Sequence, residues 1–330
     1  MGEPLFYVGS LPVTPWALCV TLGSLAAAAL MWYLSARRKI AQDAVCLFVP
    51  LTAALGIFLG HALFALVAGL LDPYVCESMG LSLTGYVFRP DKGGYMSLGV
   101  LGGLMLSALI VSKTQKASFQ ELLKAGLPAV LLAVGAAKWG EWLCGMGTGP
   151  EASTCFFPVS FLPEPDYPEW RVIAVFWLGG LYALGLALWG IAGAHKKSGV
   201  RPVTLLVCYL AGQVFWDMLR EDSYVHYLAM NFVRMDQLFS VLIMAGLMVW
   251  ASVKIKKNGG RGRGIVRWWA MMLVSVGLCV GLQFLFDKPL PLPGGALIYP
   301  PTWLVYALIG VTAAGMGLST MRMVEKAKKG

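Results

Sequence analysis

Nine stretches of mostly apolar residues, each about the 20 residues that a helix needs to cross the hydrocarbon core of a bilayer, run along this chain. They cover about 14–35, 45–71, 95–112, 122–145, 172–193, 203–220, 236–253, 267–286 and 302–320. Composition agrees: of 330 residues 58% are hydrophobic and 13% charged, where a soluble domain carries about 25% charge. The expected fold class is all-α, a polytopic membrane protein of about nine spans. The same figures exclude a disordered tail, a disulfide miniprotein, a collagen-like rod and a nucleic-acid module built on a soluble core.

Basic residues predict the orientation, because short cytoplasmic loops collect Lys and Arg. One alternate set of loops holds 19 of the 26, among them Arg37, Arg38 and Lys39, Lys113 and Lys116, Lys196 and Lys197, Lys254 to Arg267, and Arg322 to Lys329. The other set, at 72–94, 146–171, 221–235 and 287–301, is longer and richer in Pro and acids. The N terminus is expected outside and the C terminus in the cytoplasm. The net charge of +9 then reads as a topology signal with anionic lipid as its counterion, and no nucleic-acid partner is expected. Met1–Pro15 has no basic n-region, so a cleaved signal peptide is not expected.

Of seven cysteines, Cys19, Cys46, Cys208 and Cys279 fall in or beside spans, where a thiol packs as a small apolar group. Cys76, Cys144 and Cys155 fall on or near the outer face, and a Cys144–Cys155 disulfide is expected if the compartment is oxidising. Three His without Cys or His at ligand spacing give no metal site, and no cofactor is expected. Near residue 255 the run KIKKNGGRGRG reads as a flexible basic linker, and the two spans after it are poor in polar residues. The chain divides on this reading into a core, 1–254, and an appended linker and hairpin, 255–330.

Ionisable groups inside spans cost about 2.5–3.5 kcal/mol at the centre on the insertion scale, so each asks for an explanation. In the fourth span GAAKWGEWLCG puts Lys138 and Glu141 three residues apart on one face of its outer third, where they can pair. In the sixth, QVFWDMLRED sets Gln213, Asp217 and Arg220 on one stripe. The seventh opens with Arg234, Asp236 and Gln237, and the third with DKGGYMSLGVLGG. Four spans thus bring polar groups and glycines to the depth of the outer headgroups, a pattern suited to a lipid phosphate: Lys or Arg to hold it, a carboxylate to orient or move a proton, glycine for close approach. Simpler readings stand beside this one. Lys138 can snorkel, Asp217 and Arg220 can form an interfacial ion pair, Gly99 and Gly103 fit the four-residue spacing of close helix packing, and His61 fits a hydrogen-bonded core histidine.

FRPDKGGYMSLGVLGGL resembles the glycine-rich signature of the prolipoprotein diacylglyceryl transferase family, GAAKWGEWLCG its fourth-span signature and DMLRED…MDQLFSVLIMAG its closing segment. The resemblance covers about 14–254, seven spans, and leaves 255–330 outside it. It implies a plasma-membrane enzyme that moves diacylglyceryl from phosphatidylglycerol, or a similar anionic phospholipid, to the lipobox cysteine thiol of a preprolipoprotein, releasing glycerol phosphate at the extracytoplasmic side. In site terms it implies Asp217, Arg220 and His61 as catalytic residues, and Lys138, Gly140, Glu141, Gly94, Gly99, Gln213 and Gln237 as substrate-binding ones. The resemblance is to a divergent member. The usual His or Tyr of the glycine-rich motif is Leu98, the phospholipid-contacting Arg falls on Lys138, an Asn on Glu141, a Glu on Asp217, one Arg on Gln213 and another on His61, and the His-Pro motif is at best Tyr167–Pro168. A lysine keeps the charge but not the two-pronged phosphate geometry of arginine. Two rival readings follow: a catalytically degenerate lipid- or lipoprotein-binding protein of the same family, favoured by Leu98, and a transporter or flippase-like protein, disfavoured because no charge lies deep in a span and no pair of broken helices is evident.

Overall fold

The structure is a computed structural model that describes residues 4–9, 11–90, 94–151, 160–164, 167–194, 201–220, 233–259, 263–287, 290–291, 297–298 and 301–329. A hairpin of β1 (Phe6–Val8) and β2 (Leu11–Val13) precedes α1 (Pro15–Arg37) and α2 (Gln42–Leu71). Two short helices, α3 (Pro73–Ser78) and α4 (Leu83–Val87), come before α5 (Ser97–Thr114) and α6 (Phe119–Leu143). Strands β3 (Thr148–Glu151), β4 (Ser160–Glu164) and β5 (Tyr167–Ala174) lead into α7 (Val175–Ala194), α8 (Pro202–Met218), α9 (Met235–Lys257) and α10 (Arg263–Asp287). The pair β6 (Leu290–Pro291) and β7 (Leu297–Ile298) precedes α11 (Thr302–Lys329).

Among the described residues eight helices are long and apolar enough to cross a membrane, and α8 is a shorter apolar ninth. The nine spans read from hydropathy are therefore found in number and order. The small antiparallel sheets were not anticipated. The largest, in the order β3-β5-β4, forms in the loop before α7, so that helix begins at Val175, three residues later than the apolar run does. Tyr167–Ala174 alternates polar with aromatic and β-branched residues, which suits a strand better than the first turn of a helix.

Two compact units divide the chain: Met1–Leu205 with Arg220–His226, and Leu206–Leu219 with Tyr227–Gly330. In the first, α6 packs antiparallel on both α1 and α7, and α2 packs antiparallel on α5. Thr14 caps α1, its hydroxyl accepting from Ala17 N at 3.2 Å. At the far end of α1, Arg38 Nη1 donates to Glu121 Oε2 of α6 at 2.9 Å, and Lys124 pairs with the other carboxylate oxygen. The α2–α5 crossing is a small-residue lock. A Cβ on Gly99 would strike the Leu59 carbonyl, one on Gly103 would sit 2.5 Å from Gly56 N, and Thr52 Oγ1 and Ser107 Oγ share a hydrogen bond of 2.7 Å. Gly60 with Gly99, Gly56 with Gly103 and Thr52 with Ser107 thus step along the crossing in one antiparallel register, each helix showing small residues four apart. In the second unit α11 packs on both α9 and α10.

Candidate functional site

Just past the end of α6, Gly147 meets the first turn of α7. Gly147 has φ +73, and its carbonyl accepts from Phe176 N at 3.1 Å. A Cβ on Gly147 would overlap the Phe176 ring, so this glycine is required both by its backbone angle and by the aromatic lying on it. Trp142, Ala174 and Phe176 form a small buried core there. Trp139 Nε1, one turn earlier, donates to the Trp177 carbonyl at 3.1 Å.

Two cations converge on this aromatic. Lys138, only 7% exposed, holds its Nζ 4.6 Å from the centroid of the Phe176 ring, and Arg220 holds its guanidinium carbon 4.3 Å from the same centroid. Each is a cation–π contact of ordinary length. Two positive side chains thus lie beside one apolar ring. Glu141 sits half-buried one turn beyond Lys138. No ion pair of Lys138 is seen among the described residues, so the Lys138–Glu141 pairing that the sequence allowed is not formed.

The other candidates fall into different roles. His61, with 0% exposure, has Nε2 2.9 Å from the Tyr86 carbonyl and Nδ1 3.2 Å from the Gly94 carbonyl. The rings of Tyr86 and Tyr95 stand edge-on to it. It fastens the α2–α5 connection to α2. Burial, with the Cys76 thiol adding to it, pushes the Tyr86 phenol up, so the phenol beside His61 stays neutral. Gly94 has φ +79 and lies against the Phe64 ring. Gly99 belongs to the α2–α5 lock described above. Gly140 lets α1 approach α6, since a Cβ there would be 2.9 Å from both Cys19 Cβ and Trp16 Cα.

In the second unit Gln213 and Asp217 lie one turn apart near the end of α8, both buried, with Asp217 1% exposed. Gln237 is a hydrogen-bonding hub. Its Oε1 accepts from Arg234 N and from Gln283 Nε2, and its Nε2 donates to the Val214 carbonyl, all at 3.2 Å. The first of these caps α9.

The structure thus joins Lys138 to Arg220 and His61 to Gly94, and gives Gly99, Gly140 and Gln237 packing or hydrogen-bonding work within the fold. Sequence reasoning missed Phe176, which carries no signal of its own inside an apolar run, and Gly147, which the cluster CGMGTGP did offer as a turn. The Cys144–Cys155 pairing includes a residue outside those described, as do the glycine pair Gly93–Gly94 and the side chains of Tyr167–Pro168.

A family model described as prolipoprotein diacylglyceryl transferase matches residues 3–252. The chain belongs to this family. Three relatives named phosphatidylglycerol–prolipoprotein diacylglyceryl transferase agree. Those of Listeria welshimeri and Listeria innocua are 25% and 26% identical over 187 residues, and that of Bacillus cytotoxicus is 24% identical over 183. Each alignment covers 52% of this chain and 64% of the relative, so the chain spans less than two thirds of the length of the transferases it matches. With nine apolar helices among the described residues and this membership, it is a multi-pass bacterial membrane protein, and a divergent one. All ten candidate residues lie within the matched stretch of the transferase family, and α10 and α11 lie beyond it.

Proposed function

We propose that this protein is a phosphatidylglycerol–prolipoprotein diacylglyceryl transferase of the bacterial plasma membrane, working at the depth of the outer-leaflet phosphates with its N terminus outside and its C terminus in the cytoplasm. The observation that carries the reading is the convergence of Lys138 and Arg220 on the Phe176 ring. In the reaction the lipobox sulfur attacks the glyceryl carbon that bears the phosphate ester and an S–C bond forms. The C–O bond breaks, its electron pair leaves with the phosphate oxygen as glycerol phosphate, and the thiol proton passes to a base. Lys138 and Arg220 hold the phosphate and stabilise the charge it gains, an effect that exists only as the bond breaks. Phe176 fixes their spacing. Asp217 is assigned the thiol proton, since His61 would have to give up a contact to a backbone carbonyl before serving as base. Gln213 and Glu141 are assigned to headgroup binding on this reading.

One observation favours a second reading, a family member that binds lipid or lipoprotein without turnover: Leu98, at the place of the family's usual His or Tyr, is buried and cannot move a proton. Purified protein in nanodiscs with labelled phosphatidylglycerol and a synthetic lipobox peptide separates the two. Release of glycerol phosphate above background, and rescue of a cell depleted of its own transferase, are the expected results. Background release that Lys138→Ala leaves unchanged would overturn the enzyme reading.

A further inference from the structure

A polar side chain in a membrane helix is costly until it meets a partner. The helix α10 carries such a side chain, Gln283, one turn before its end. Its Nε2 donates to Gln237 Oε1, and that oxygen also accepts from Arg234 N at the start of α9. The Gln237 amide nitrogen in turn reaches the Val214 carbonyl, three residues before Asp217. One chain of amides therefore ties α10, α9 and α8 together where Arg234 and Asp217 are buried. Packing repeats the tie independently. Cys279 Sγ lies 3.6 Å from the sulfur of Met218, the neighbour of Asp217. On α11 a Cβ added at Gly317 would sit 3.1 Å from Ala211 Cβ. All of these residues belong to one compact unit, yet the family match ends at residue 252 and leaves both hairpin helices outside it.

We propose that the α10–α11 hairpin is a positioning element for the polar ends of α8 and α9, and that Gln283 is the positioning residue that fixes Gln237 and, through it, Arg234 and the last turn of α8 that carries Asp217. The segment that sequence set apart as an appendage is on this view part of the machinery. Its consequence for turnover rests on the transferase reading, and its consequence for structure does not.

The test uses the full-length protein in nanodiscs, with amide hydrogen exchange and glycerol phosphate release as paired readouts. Gln283→Met removes the amide at nearly constant length. Gln283→Glu, which keeps size and polarity but loses the donated N–H, serves where the first variant does not accumulate. Either is expected to speed exchange at residues 234–238 by about tenfold, and to lower kcat by up to about tenfold at an unchanged KM for the peptide, the most that one neutral hydrogen bond supplies. Trp269→Phe cuts a different hydrogen bond between α10 and α9, from Trp269 Nε1 to Ser252 Oγ at 3.0 Å, and is expected to leave both readouts within about twofold. Gln237→Leu combined with Gln283→Met should be no worse than Gln237→Leu alone. Wild-type exchange in the Gln283 variants, or losses that add fully in the double variant, would overturn the proposal. If the wild-type protein releases no glycerol phosphate while the Gln283 variants still speed exchange, the transferase reading falls and the positioning role stands.

Discussion

The α2–α5 crossing and the α8–α11 unit are both membrane helix packings, held by opposite means. In the first, backbones touch: Gly99 lies on the Leu59 carbonyl and Gly103 on Gly56, with no side chain between them. In the second, side chains mediate: Gln237 bridges three helices through its amide, and Met244, Met248, Met272 and Met316 of α9, α10 and α11 are buried. The difference lies in tolerance. A backbone contact leaves an added atom nowhere to go, whereas a polar or thioether contact can loosen by degrees. The first region sets the scaffold, and the second can shift its polar residues slightly without coming apart.

The largest effect should therefore come from glycine. Gly99→Val places a branched side chain against the Leu59 carbonyl and is expected to cost about 3 kcal/mol or more, enough to abolish monodisperse protein in detergent. Gly102→Ala is the control, because nothing lies within 4 Å of the added methyl, and its thermal midpoint should match wild type. A Gly99→Val protein as stable as wild type would erase the contrast between the two regions.

Next in size is the cation site. Lys138→Ala is expected to lower kcat/KM for diacylglyceryl transfer by about 100-fold, the loss usual for one group stabilising a departing oxyanion. Lys138→Arg should keep most of the activity, since it restores the residue the family resemblance places there. Phe176→Leu keeps the apolar volume and removes the ring, so it should cost less, about tenfold, from two cation–π contacts of about 0.5–1 kcal/mol each. Steady-state release of glycerol phosphate against phosphatidylglycerol concentration checks all three.

A third pair of variants separates turnover from stability. Asp217→Asn removes the proposed proton acceptor and should lower kcat by more than tenfold with little loss of fold. His61→Gln should do the reverse: about 1 kcal/mol of stability from a loosened contact to Tyr86 or Gly94, and a kcat within a few fold of wild type. The opposite order would move the chemical centre to α2 and make the glycine-rich connection part of the reacting site.

These expectations show how unevenly the molecule could be read from its sequence. The spans were legible because crossing a bilayer demands a long apolar run that little else produces. Lys138 and Asp217 were legible for the complementary reason, that a charge in such a run stands out. The spacing of Gly99 and Gly103 announced close packing, but the partners Gly56 and Gly60 lie on another helix and only the fold pairs them. Phe176 could not be found, since one aromatic among many apolar residues gains its meaning from the cations that reach it. The three-stranded sheet before α7 escaped because its strands are short and interrupted by Pro and Gly. Gln283 was in plain view as the one amide of α10, yet a hairpin judged by average polarity hides the contact that this amide makes.

The smallest effect tests the contrast most finely. Thr52 and Ser107 share a side-chain hydrogen bond in the α2–α5 crossing. Thr52→Val replaces the hydroxyl by a methyl of nearly equal size, and Ser107 keeps its own bond to the Leu104 carbonyl at 2.9 Å. No buried donor is stranded, so the cost should be about 0.6 kcal/mol, the mean measured for polar contacts between membrane helices. If glycine fit is what holds this crossing, the Thr52→Val protein should unfold within a few degrees of wild type and transfer lipid at the same rate. A loss as large as that of Gly99→Val would mean that the hydroxyl pair, and not the backbone contact, sets the register of α2 on α5. The two regions would then be held by the same kind of bond after all.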